Sequence, residues 1–155
     1  MITTHGEERR KKLGKLLVGD ADSLIALVFK GDANNPKAED ISRMIAAEGY
    51  DLIYPVTALT EAITTLKRSM SLTREAHFLN SQYQKGVFNV QYVDEEIVLS
   101  ASKIFEKTVS KKNTIFDAIV AATAEKLEAD AIFSFDDWYP KLGFKLAGDL
   151  VDTKS

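Results

Sequence analysis

Short apolar runs alternate along this chain with longer stretches in which apolar residues recur at every third and fourth position. That alternation predicts strands separated by helices, and so an α/β domain with a mostly parallel central sheet covered by helices. Lys15-Leu16-Leu17-Val18 forms the first expected strand, and residues 24–29 follow as a brief apolar helix. Residues 31–36 hold the turn formers Gly31, Asp32, Asn34 and Asn35. Residues 37–48 are helical, with Ile41, Met44 and Ile45 on one face and Gly49 as the stop. Leu52-Ile53-Tyr54 is a second strand halted by Pro55, and residues 57–69 form one amphipathic helix with Leu59, Ala62, Ile63 and Leu66 on its apolar face. A helix over 73–84, a strand of mixed polarity over 87–93 and a helix opened by Asp94-Glu95-Glu96 come next. A helix over 114–128, apolar nearly all round, leads to the strand Ala131-Ile132-Phe133-Ser134, and residues 144–146 are a short last strand. The sheet is expected to hold about four to five strands.

The 155 residues suit one domain. The expected organisation is a basic N-terminal extension over 1–14, a folded domain over 15–150 and a tail over 151–155. Cysteine is absent, which excludes disulfides and Cys-based metal sites. No run approaches the roughly 18 apolar residues of a membrane span, and the first fifteen residues lack a signal-type apolar run. The expectation is a cytoplasmic protein. Five basic and two acidic residues give positions 1–15 a charge of +3, and since the whole chain carries −3, the remainder carries −6. Broad charge attraction to nucleic acid is therefore excluded, and any such contact must be local or carried by a metal. The basic head is either an electrostatic handle or a solvated terminus.

Four carboxylates occupy positions where a charge is costly. Asp20 lies at the carboxyl end of the first strand, the edge at which open α/β sheets bind ligands. Asp136 lies just past the end of a later strand, and Asp117 has Val120 and Ala121 as helical neighbours. Glu61 lies in the first turn or so of its helix, beside the apolar stripe. Each has a plainer role open to it. Asp20 or Asp22 can cap the helix that follows. Thr114-Ile115-Phe116-Asp117 can be a capping box, Glu61 can favour the helix dipole, and Asp136-Asp137 can be a turn. Together, four converging acids repel one another unless a cation resolves the repulsion, and oxygen ligands suit Mg²⁺ or Mn²⁺.

These residues resemble the PIN-domain family. Asp20-Ala21-Asp22-Ser23-Leu24-Ile25-Ala26-Leu27 is similar to the family's opening motif, and Thr60-Glu61-Ala62-Ile63 after Ile53-Tyr54-Pro55 to its helix-borne Glu. Phe116-Asp117-Ala118-Ile119-Val120-Ala121-Ala122-Thr123-Ala124 and then Ala129-Asp130-Ala131-Ile132-Phe133-Ser134-Phe135-Asp136 resemble its third acidic motif and its Thr/Ser-x-Asp end. The likeness spans about residues 16–148 and is nearest to the toxin subunits of VapBC-type toxin–antitoxin pairs. Asp22 departs from the usual Ser or Asn, Ser134 from the commoner Thr, and the first strand begins about fifteen residues late.

The resemblance implies a PIN-like three-layer α/β/α sandwich and a metal-dependent endoribonuclease. Its acidic set is Asp20, Glu61, Asp117 and Asp136, with Asp20, Asp117 and Asp136 as ligands of Mg²⁺ or Mn²⁺. Asp22 and Ser134 are supporting residues, and Glu61 faces water or a second ion. Lys67, Arg68, Arg74, Lys111 and Lys112 are candidate contacts to RNA, each equally open to being a solvated helix end or loop. Expected partners are an RNA substrate, a protein antitoxin and a second copy in a homodimer. Trp138 and Tyr139 are expected as core anchors and His77 as a surface or packing residue. Two other readings stay open. Asp20-x-Asp22 also resembles the opening of HAD phosphatases, with Asp20 as nucleophile and Asp22 as general acid, although Leu24 stands where Thr or Val is usual. The other is a non-catalytic PIN-like binding module.

Overall fold

The computed structural model describes residues 14–152. The expected basic extension, apart from Gly14, and the end of the C-terminal tail lie outside the described residues. Four strands, β1 Leu16–Gly19, β2 Asp51–Pro55, β3 Asn89–Gln91 and β4 Ala131–Phe133, form one sheet in the order β3-β2-β1-β4, and every pairing is parallel. The helices between them are α1 Ala21–Val28, α2 Asn35–Glu48, α3 Val56–Thr64, α4 Thr73–Gln84, α5 Glu95–Glu106 and α6 Ile115–Lys126. Two short ones, α7 Trp138–Lys141 and α8 Ala147–Asp152, end the described chain.

Side-chain alternation along the strands builds the two faces of the sheet. Val18, Ile53 and Ile132 pack on one side against α1, α3, α4 and α6. Leu17, Ala131 and Phe133 pack on the other against Ala38, Ile41 and Met44 of α2 and Ala147 of α8. Strands buried on both faces read as continuous apolar runs, which is why β1 and β4 were legible. A third cluster joins Ile97 and Ala101 of α5 to Ala118, Ile119 and Ala122 of α6. Helix α6 thus sits between the sheet and α5, and its alanines let both neighbours approach closely. The result is the expected three-layer α/β/α sandwich. Among the described residues no helix is long and apolar enough to cross a membrane.

Several expectations are adjusted. Pro55 does not halt β2 but belongs to it, paired with Gln91 at the sheet's edge-strand side. The expected strand over 87–93 shortens to the three residues of the edge strand β3. The expected last strand over 144–146 reduces to one parallel bridge between Ile132 and Leu146. The expected helix over 57–69 begins at Val56, and after Thr64 it widens into a π-helical stretch, Thr65–Ser69, with Met70 N–H donating to the Thr65 carbonyl at 3.1 Å. Thr60 and Thr64 bond back to carbonyls one turn earlier, a pattern that bends helices. Gly49 ends α2 with φ 73°, as its position predicts.

Candidate metal centre

Parallel pairing places the carboxyl ends of β1 and β4 side by side, with Gly19 in register with Phe133. Asp20 follows β1 directly and Asp136 lies three residues past β4. The N-terminal turns of α3 and α6 open onto the same edge. A cleft of about 380 Å³ results, lined among others by Asp20, Asp22, Glu61, Asp117 and Asp136. Asp20, Glu61 and Asp117 each offer a carboxylate oxygen within 4.8 Å of the other two. Asp136 and Asp22 line the same cleft outside that trio. Because α3 starts at Val56, Glu61 stands in its second turn rather than its first.

Each acid is held differently. Asp20 caps α1: its Oδ1 accepts from Ala21 N–H at 2.7 Å, while its Oδ2 accepts from the Tyr139 hydroxyl at 2.7 Å. Asp117 does complete a capping box with Thr114, its Oδ2 accepting the Thr114 N–H at 2.9 Å. Capping and membership of the cluster are thus compatible in one residue. Asp136 accepts from Asn113 Nδ2 at 2.9 Å and from Trp138 N–H at 2.9 Å. Lys112 Nζ lies 3.8 Å from its Oδ1. Asp22 does not cap α1; its Oδ2 reaches across to β4, accepting from Ser134 Oγ at 2.8 Å and Phe135 N–H at 2.8 Å. Ser134 Oγ in turn accepts the Asp136 N–H at 3.1 Å. The side chain of Glu61 has no ion pair or hydrogen-bond partner among the described residues.

The cleft is short of positive charge, and burial raises the carboxyls of Asp20, Asp22, Glu61 and Asp117. Burial, aided by the charge of Asp22, holds the Asp20 carboxyl well above its ordinary range. Burial pushes Asp22 up to about 6, against the hydrogen bonds from Phe135 and Ser134. Burial and then the charge of Asp117 push Glu61 up to about 7. Asp117 is raised chiefly by burial, against the hydrogen bond from Thr114. Among the described residues, Lys112 with Asp136 is the ion pair at this cleft. Oδ1 of Asp22 is buried with no hydrogen-bond partner. A converging all-oxygen donor set, an orphaned carboxylate oxygen and a deficit of positive charge together fit a hard divalent cation.

Of the basic residues expected to guide RNA, Lys112 lines this cleft. Arg74 borders a separate groove with Phe29 and Phe78. Lys67, Arg68 and Lys111 are exposed and line neither. His77 is exposed. Tyr139 is the fully buried core anchor expected, but its hydroxyl contact to Asp20 had no sequence signal. Asn113, 5% exposed and bridging towards Asp136 and Asp117, was also missed. Its one legible sign is an Asn four residues before an Asp at a helix start.

Comparison with known proteins adds the lineage. The model of the PIN domain family matches residues 17–145. A comparison with curated proteins returns no significant match. Among solved structures, the Mycobacterium tuberculosis toxin VapC20, described as cleaving the sarcin–ricin loop, superposes with a TM-score of 0.71 at 21% identity, over 83% of this chain and 95% of that one. A chain of a toxin–antitoxin complex from Klebsiella pneumoniae superposes with a TM-score of 0.50 at 18% identity, over 77% of this chain and 86% of the other. With the family model covering most of its length and its acids gathered at the expected sheet edge, the chain belongs to the PIN-domain family.

Proposed function

We propose that this protein is a metal-dependent endoribonuclease, the toxin of a toxin–antitoxin pair, using Mg²⁺ or Mn²⁺ to cleave RNA phosphodiester bonds in the cytoplasm. The observation that carries the reading is the convergence of Asp20, Glu61 and Asp117 within 4.8 Å at the carboxyl edge of the sheet, in a PIN-family chain. The similarity to a toxin described as cleaving the sarcin–ricin loop supports RNA as the substrate class. The similarity to a toxin–antitoxin complex supports a protein antitoxin. A homodimer belongs to the same proposal.

Asp20, Asp117 and Glu61 would hold the ion, with Asp136 beside them at the cleft wall. When bound, the ion supplies Lewis-acid chemistry, drawing charge from a phosphoryl oxygen and acidifying water. The chain's own residues do the rest. Ala21 N–H and Tyr139 fix the orientation of Asp20, and Thr114 N–H fixes that of Asp117. Glu61, whose half-buried side chain makes no hydrogen bond or ion pair among the described residues, would offer one oxygen to the ion and orient the attacking water with the other. Asp22 and Ser134 support Asp136 by tying the exit of β4 to α1. Lys112, at the cleft mouth, moves from Asp136 to a substrate phosphate.

The phosphatase reading loses its support. It requires Asp22 as a general acid facing substrate, whereas Asp22 Oδ2 is engaged by Ser134 and Phe135, and the family match is to a different lineage. The test is cleavage of a structured RNA by wild type and Asp117→Asn, each with Mg²⁺, Mn²⁺ or EDTA. Cleavage should require metal and disappear in the variant. Failure of both proteins to cleave RNA, together with no rise in melting temperature on adding Mn²⁺, would replace the nuclease with the binding module.

A further inference from the structure

We propose that Tyr139 is a positioning residue for the metal centre, holding Asp20 to the single orientation in which it can share a cation with Glu61 and Asp117. The proposal rests on the reading of that trio as a metal site. Tyr139 is fully buried, and its hydroxyl donates to Asp20 Oδ2 at 2.7 Å from 119 residues away. A buried tyrosine hydroxyl must find an acceptor. The other fully enclosed tyrosine at this edge, Tyr54, meets that need with the hydroxyl of Ser23 at 2.9 Å and leaves the carboxylates alone. Tyr139 instead takes one oxygen of the most deeply buried acid in the cleft, Asp20 at 4% exposure.

The geometry around Asp20 makes that bond decisive. Oδ1 is fixed by the Ala21 N–H at 2.7 Å and Oδ2 by Tyr139, with Ser134 Oγ more distant at 3.5 Å. One donor at each oxygen defines the plane of the carboxylate and removes the rotation that a single cap would leave. Each oxygen keeps a second lone pair to offer the cleft. The same short helix also addresses the other end of the site. Trp138 N–H donates to Asp136 Oδ1 at 2.9 Å, and the next residue is Tyr139. Helix α7 therefore ties the acid after β1 to the acid after β4 through two consecutive residues. Donors of this kind behind a ligand orient it, and their removal typically lowers metal affinity about 10–100-fold.

The test is calorimetric Mn²⁺ titration of wild type and Tyr139→Phe, which keeps the buried ring and removes only the donor. The variant should bind Mn²⁺ at least about tenfold more weakly. Its melting profile in EDTA reports separately whether the fold survives. Equal affinities would overturn the positioning role while leaving the metal site standing. No Mn²⁺ binding by wild type would overturn both. Should Tyr139→Phe fail to fold, fluorotyrosine placed at 139 in the otherwise wild-type protein gives a second reading. Its fluorine resonance should shift saturably with Mg²⁺, and an unmoved resonance under saturating Mg²⁺ would overturn the proposal.

Discussion

The ring of Tyr54 fills the space where a side chain on Gly19 would begin: a Cβ built on Gly19 falls 2.6 Å from Cδ1 of that ring and closer still to its edge atoms. Gly19 is the last residue of β1 and directly precedes Asp20, so this close approach sets where the strand delivers its acid. Gly19→Ala should destabilise the protein by about 2 kcal/mol through overpacking, read as a lower midpoint in urea. It should also weaken Mn²⁺ binding by displacing Asp20. An unchanged midpoint would mean that the ring moves aside freely.

The acidic cleft predicts an inverted pH response. Burial raises the carboxyls of Asp20, Asp22, Glu61 and Asp117, so at these positions the folded protein holds protons more tightly than the unfolded chain. Their contribution to stability is complete below the ordinary carboxylate range. It is lost as pH climbs through the raised values, about 6 for Asp22 and about 7 for Glu61. Asp94, lowered by the Ile97 N–H and by Lys126, works in the opposite sense but on the exposed surface. The melting temperature in EDTA should therefore be higher near pH 5.5 than near pH 8. Saturating Mg²⁺ should remove that difference, because the ion binds the ionised carboxylates. A profile in EDTA that rises with pH would contradict the account.

Lys112 should matter to RNA binding in a way that Arg74 does not. Lys112 lines the acidic cleft and lies 3.8 Å from Asp136, while Arg74 belongs to a different groove. Lys112→Ala should raise KM for RNA several-fold and reduce the salt slope of binding by about one. Arg74→Ala should leave both unchanged. Equal effects from the two substitutions would mean that RNA follows a path other than the cleft.

Much of this architecture was legible because it rests on local chemistry. The runs Leu16-Leu17-Val18 and Ala131-Ile132-Phe133 are apolar throughout since both faces of the sheet are covered. Asp117 stood out because a charge among apolar neighbours requires a partner, and Asp20 and Asp136 because they follow the carboxyl ends of strands, where open α/β sheets bind ligands. What escaped depends on distance along the chain or on brevity. The four residues of α7 are too few to show a helical period. The hydroxyl of Tyr139 finds Asp20 across 119 residues and Asn113 finds Asp136 across 23, and no spacing rule reaches that far. Asp22 looked like a cap because caps are local, yet its partners are Ser134 and Phe135, 112 and 113 residues further along the chain, just past the neighbouring strand β4.

The central claim is that Asp20, Glu61 and Asp117 share a divalent cation. The most direct measurement is the loss of the free Mn²⁺ electron paramagnetic resonance signal on titration with wild type and with Asp117→Asn, at near-neutral pH. The asparagine keeps a carbonyl to accept the Thr114 N–H, so the helix start survives while the charge is removed. The account predicts saturable loss of the signal with wild type and an affinity at least about tenfold weaker with the variant. Equal affinities for the two proteins, or a wild type that leaves the signal untouched, would contradict it.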